Sequence, residues 1–65
     1  MNMYKFGNYI CKLREEKNLT QSELASLLDV TDKSVSKWEN GQAFPRIDTF
    51  DIFFSLIRNG EVKFS

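Results

Sequence analysis

Apolar residues recur along this chain at helical rather than strand spacing. Phe6, Ile10 and Leu13 fall within about 60° of one another on a 100° wheel, with Tyr9 at the edge of the arc. They predict a first helix over about Tyr4–Lys17, which Asn18 ends ahead of Leu19. Thr20-Gln-Ser-Glu23 has the form of a capping box, with Leu19 before it and Leu24 after it as the hydrophobic staple. A second helix over Gln21–Leu28 follows. Thr31, preceded by Val30 and followed by Val35, repeats the device and starts a third helix over Asp32–Asn40, stopped by Gly41. Pro45 stands just ahead of a fourth helix over Ile47–Ile57, closed by Asn59-Gly60. On that helix Ile47, Phe50, Phe53, Phe54 and Ile57 share an arc of about 120° and are expected to face the core. Ile52 and Leu56 point to the far side. The tail, Glu61–Ser65, is too short for a packed helix. The expectation is a compact all-α domain of four helices, or five if the tail supplies one, over residues 1–58, with 59–65 as a short tail.

The second and third helices are joined by only Asp29-Val30-Thr31. Two short helices so connected have the geometry of a helix-turn-helix, crossing at about 90–120°. Leu24, Leu28, Val30, Val35 and Trp38 are apolar where such a pair meets its core, and Ala25 is small where the helices approach closely.

Composition narrows the function. With 65 residues, one cysteine and no histidine, the chain has neither an internal disulfide nor a zinc site, and it lacks the commonest general base. No Gly-rich phosphate loop or nucleophile elbow is present, so an enzyme is not expected, nor a cofactor, a metal or an evident small-molecule ligand. No apolar run approaches the length of a membrane span, and the N-terminus has no signal-peptide core, so a cytoplasmic protein without a membrane partner is expected.

Leu19-Thr-Gln-Ser-Glu-Leu-Ala25, then Val30-Thr-Asp-Lys-Ser-Val-Ser-Lys-Trp-Glu-Asn-Gly41, then Pro45, resembles the Cro/phage-repressor helix-turn-helix family, also called the xenobiotic-response-element type. The resemblance runs from about Phe6 to Ile57. It implies a DNA-binding domain of four or five helices, usually a dimeric transcriptional repressor. Two departures stand out: Asp29 replaces the family's usual turn glycine, and the fifth helix that often carries the dimer contact is missing or replaced by the tail.

At 100° per residue Lys33, Ser36, Lys37 and Asn40 lie together, opposite Val35 and Trp38. The resemblance implies that Asp32, Lys33, Ser36 and Lys37 face the bases in the major groove. Lysine can donate to guanine O6 and N7, and serine to groove groups of either strand. Asp32 can accept from cytosine N4, or can serve simply as a first-turn acid favoured by the helix dipole. The resemblance also places Gln21, Asn40, Gln42 and Arg46 against phosphates. Arg14 and Glu39 border buried faces, where a charge needs a partner, and the resemblance implies that they pair. Cys11 reads as a structural thiol.

Nine Lys+Arg balance nine Asp+Glu, an objection to a strongly electrostatic nucleic-acid binder. Yet the outer face of the third helix carries Lys33 and Lys37, whereas Glu15, Glu16, Asp48, Asp51 and Glu61 all lie outside the helix-turn-helix. The leading expectation is a dimeric repressor that occupies a double-stranded DNA operator, its second copy meeting Ile52, Leu56, Val62 and Phe64. The alternative is a protein-binding helix-turn-helix module, such as an antitoxin-like or regulatory subunit.

Overall fold

The computed structural model describes residues 2–58, which form four helices: α1 (Met3–Glu16), α2 (Gln21–Leu28), α3 (Asp32–Glu39) and α4 (Ile47–Arg58). No strand occurs among the described residues. Each of the first three helices starts on a polar cap. The side chain of Asn2 accepts from the Lys5 N–H, Thr20 accepts from Glu23, and Thr31 accepts from Ser34. Asn2 explains why α1 begins one residue earlier than its apolar pattern predicts. The capping box is complete, because the Glu23 carboxylate also accepts from the Thr20 N–H at 2.8 Å.

The same three helices end in one way. Asn18, Asp29 and Gly41 take left-handed backbone conformations, with φ of 58°, 57° and 72°. The N–H of the following residue then returns to a carbonyl of the last turn: Leu19 to Arg14, Val30 to Ala25, and Gln42 to Lys37. Asp29, in the position of the family's glycine, therefore adopts the glycine-like conformation itself. Short aspartate and asparagine side chains tolerate that conformation better than most.

The core consists of Phe6, Ile10, Leu19, Leu24, Ala25, Leu28, Val35, Trp38 and Phe53. Val35 and Ile10 are the most deeply buried of these. The α2–α3 pair packs through Leu24, Ala25, Leu28, Val35 and Trp38, and α1 lies across α3. Gly7 makes that crossing possible. A Cβ there would lie 2.3 Å from the Trp38 carbonyl oxygen and 2.8 Å from that of Glu39. A mid-helix glycine costs about 1 kcal/mol relative to alanine, and here the loss is offset by close backbone approach.

The orientation of α4 departs from the expected one. Ile47 is 89% exposed and Phe54 40%, although both were expected to face the core, whereas Thr49 is buried and Leu56 half-buried. The buried arc is centred near Phe53, a rotation of about 60° from the predicted face. Leu56 turns inward because Leu13, Leu19 and Leu24 form an apolar groove at the junction of α1 and α2, and Leu56 covers it with Phe53 and Ile57. Of the four residues expected to meet a second copy, Ile52 is exposed, Leu56 faces its own domain, and Val62 and Phe64 lie outside the described residues. No helix among the described residues is long and apolar enough to cross a membrane.

Gly7→Ala should be destabilising, because the new methyl meets rigid backbone rather than a movable side chain. We expect a loss of at least about 2 kcal/mol and a fall in Tm of roughly 10 °C, measured by thermal denaturation followed by circular dichroism. An unchanged Tm would show that α1 can slide along α3 at little cost.

Candidate nucleic-acid interface

The outer face of α3 is polar because its inner face is committed to Val35 and Trp38. Lys33, Lys37 and Asn40 are exposed and Ser36 is half-buried, so the four side chains occupy one face of the helix as its periodicity predicts. Within that face the Asn40 Nδ2 donates to Ser36 Oγ at 3.2 Å. Asp32 is exposed in the first turn, just after the Thr31 cap. Gln42 and Arg46 follow α3 in the loop to α4, both exposed, and the Arg46 side chain is 89% accessible beside Asp48.

The start of α2 borders this surface. The capping box satisfies the Glu23 N–H, and Thr20 O accepts from Leu24, but the N–H groups of Gln21 and Ser22 find no acceptor among the described residues. Unpaired amides at a helix N-terminus favour an anion. The Gln21 side chain is half-buried, and its Nε2 donates to Glu39 Oε1 at 2.9 Å.

That bond joins a larger cluster. Arg14 holds Glu39 with two parallel bonds, Nε to Oε2 at 2.7 Å and Nη2 to Oε1 at 3.1 Å. Arg14 Nη1 also donates to the carbonyl of Leu19 at 2.8 Å. The two side chains are 14% and 7% exposed, so this is a largely buried, bidentate ion pair. Burial pushes the Glu39 carboxyl upward, but the hydrogen bonds from Arg14 and Gln21, with the charge of Arg14, outweigh it and hold the group below its ordinary range. Glu39 in turn stabilises the charged form of Arg14. Cys11 lies beside the pair, accepting weakly from Arg14 Nη2 at 3.6 Å, and burial foremost raises its pKa and keeps the thiol protonated.

The expected Arg14–Glu39 pair thus forms, and the base-facing candidates share one surface. The sequence reading missed the bond from Gln21 to Glu39, the Arg14 bond to Leu19, and the role of Gly7. A glycine in the middle of an otherwise regular helix was the available signal for the last. The first two depend on residues 18 and 5 positions apart, which no local pattern connects.

A capped helix pair joined through a left-handed turn, with its second helix presenting a polar outer face, defines a helix-turn-helix domain. Residues 12–53 match the helix-turn-helix family profile, and the chain belongs to that family, in its Cro/phage-repressor type. It is also similar to the HTH-type transcriptional activator BcrR of Enterococcus faecalis, at 38% identity over 55 aligned residues. The alignment covers 80% of this chain and 27% of that relative, so the chain spans about a quarter of the relative's length.

Arg14→Ala leaves the Glu39 carboxylate buried without its main partner and should cost about 3 kcal/mol, whereas Lys12→Ala, at an exposed site, should cost less than about 0.5 kcal/mol. Comparison of their chemical denaturation midpoints checks this, and equal midpoints would reduce Arg14 to a surface charge. The pair also sets an acid limit. A carboxyl lowered by folding contributes its full stability above its unfolded pKa and loses it as pH falls through the lowered folded value. Stability should therefore decline as pH drops below about 4.5, and Glu39→Gln should flatten that part of the curve.

Proposed function

We propose that this domain binds double-stranded DNA sequence-specifically, as the DNA-reading unit of a transcriptional regulator. The observation that carries this reading is the outer face of α3. Lys33, Ser36, Lys37 and Asn40 stand together on the second helix of the pair, the one that enters the major groove in a helix-turn-helix. Asp32, Lys33, Ser36 and Lys37 read base edges, while Gln21, Asn40, Gln42 and Arg46 hold phosphates and set the register. Of these phosphate-holding residues only Arg46 is a cation, which with the formal net charge of zero implies a shallow dependence of affinity on salt. No step of this function requires catalysis.

Two copies on a two-fold operator would place their α3 helices about 34 Å apart, and Ile52, 46% exposed, is the residue we assign to that contact. The regulatory sign follows from operator position. Occupancy over a promoter represses, and occupancy beside one can activate; the Enterococcus relative, a transcriptional activator, favours activation over the repression that the family resemblance implies.

Selection from a randomised duplex pool followed by gel shift tests the reading. Lys37→Ala and Ser36→Ala should each relax base preference at one position by about 1–3 kcal/mol without changing Tm. Failure of the wild type to retard any duplex would instead favour a protein-binding module. Ile52→Glu should shift sedimentation of the protein on its operator from two copies to one and weaken binding. An unaltered profile would exclude Ile52 from the contact.

A further inference from the structure

The Arg14–Glu39 pair is arranged to do more than join α1 to α3. Glu39 Oε2 accepts from Arg14 Nε, and Oε1 is shared between Arg14 Nη2 and Gln21 Nε2. Gln21 is the first residue of α2 and Glu39 the last of α3, so a single carboxylate links the start of one helix to the end of the other. On its other side, Arg14 holds the Leu19 carbonyl, immediately before the Thr20 cap. The entry to α2 is therefore gripped from both sides of one buried ion pair.

The consequence lies in what remains free on Gln21. Its amide has two N–H donors; one is spent on Glu39 and the other is left, beside the unpaired backbone N–H groups of Gln21 and Ser22. A glutamine side chain otherwise samples many rotamers, and ordering it on a ligand costs free energy. The bond to Glu39 removes that cost before any ligand arrives. We infer that Glu39 is a positioning residue for phosphate binding: through the Gln21 amide, it fixes the α2 phosphate donors relative to the base-reading face of α3. This role rests on the DNA reading above. It also ties Arg14 to binding at one remove, since Arg14 holds Glu39 ionised and in place.

The test is a double-mutant cycle on a random-sequence duplex, since a phosphate contact acts on every sequence. Affinities are measured at low temperature on protein whose fold is verified by circular dichroism. Gln21→Ala and Glu39→Met, which keeps the side-chain length but has no oxygen to accept from Gln21, should each weaken binding about fivefold, the worth of one hydrogen bond, and the double variant should be no weaker than either. The salt slope should stay unchanged, because no cation is removed from the interface. A folded Glu39→Met protein with wild-type affinity, or penalties that multiply in the double variant, would overturn the role of Glu39 while leaving DNA binding intact. No retardation by the wild type would overturn the DNA reading and this role with it. Should Glu39→Met fail to fold, the wild type alone is decisive by side-chain amide NMR. One Gln21 Nε2 proton should be shifted and slow to exchange, and two solvent-like protons would refute the arrangement.

Discussion

A buried arginine–carboxylate fork holds this small domain in register. Arg14 from α1 and Glu39 from α3 meet with both nitrogen–oxygen bonds made, and their spare valences go to Leu19 and Gln21 rather than to water. Burying two charges is expensive, and replacing such a pair by apolar side chains can be neutral or stabilising. Its value here is directional. Burial of Ile10, Val35 and Trp38 in one core brings α1 and α3 together, and the planar fork helps dictate how far along each helix they meet. Close contact at Gly7, one turn below Ile10, then leaves no space for the helices to slide.

The turns supply the second constraint. In a chain with few loop residues, the angle between successive helices is set almost wholly by how each one ends. Asn18, Asp29 and Gly41 all reverse the chain through a left-handed residue and return the next N–H to the last helical turn. After Asn18 and Asp29 an apolar residue, Leu19 or Val30, is carried into or against the core. The helix-turn-helix angle is thereby a property of one aspartate in an unusual backbone conformation and of the leucine and valine side chains packed around it. Once that angle is set, the polar side of α3 can only face outward.

The formal net charge of zero is not evenly spread, although the helix-turn-helix keeps three exposed acids of its own, Glu23, Asp29 and Asp32. Lys33 and Lys37 lie on the exposed side of α3, while the acids Glu15 and Glu16 end α1, and Asp48 and Asp51 lie on α4. Glu39, the one acid in the last turn of α3, is neutralised inside the domain.

The elements themselves were legible in the sequence because their signals are local. Thr20 with Glu23, Thr31, Asn18 and Gly41 mark helix ends through bonds that span three to five residues; the caps of α2 and α3 formed where predicted, and α1 and α3 end one residue short, at Glu16 and Glu39. The outer face of α3 was equally legible, since Val35 and Trp38 leave its periodicity unambiguous. On α4 the same reasoning failed: seven of its twelve residues are apolar, Ile47, Phe50, Ile52, Phe53, Phe54, Leu56 and Ile57, so several faces qualify as the buried one. The choice fell to the shape of the site waiting for it. Leu13, Leu19 and Leu24 present a groove that Leu56 covers, and Ile47 and Phe54 are left outside. In the same way, the sequence and its family resemblance paired Arg14 with Glu39 and left Gln21 apart as a phosphate candidate, and tertiary structure decided that Gln21 shares the same carboxylate. Helix starts and stops are short-range chemistry and are written in consecutive residues, whereas the rotation of a helix and the sharing of a hydrogen-bond acceptor exist only once distant segments meet.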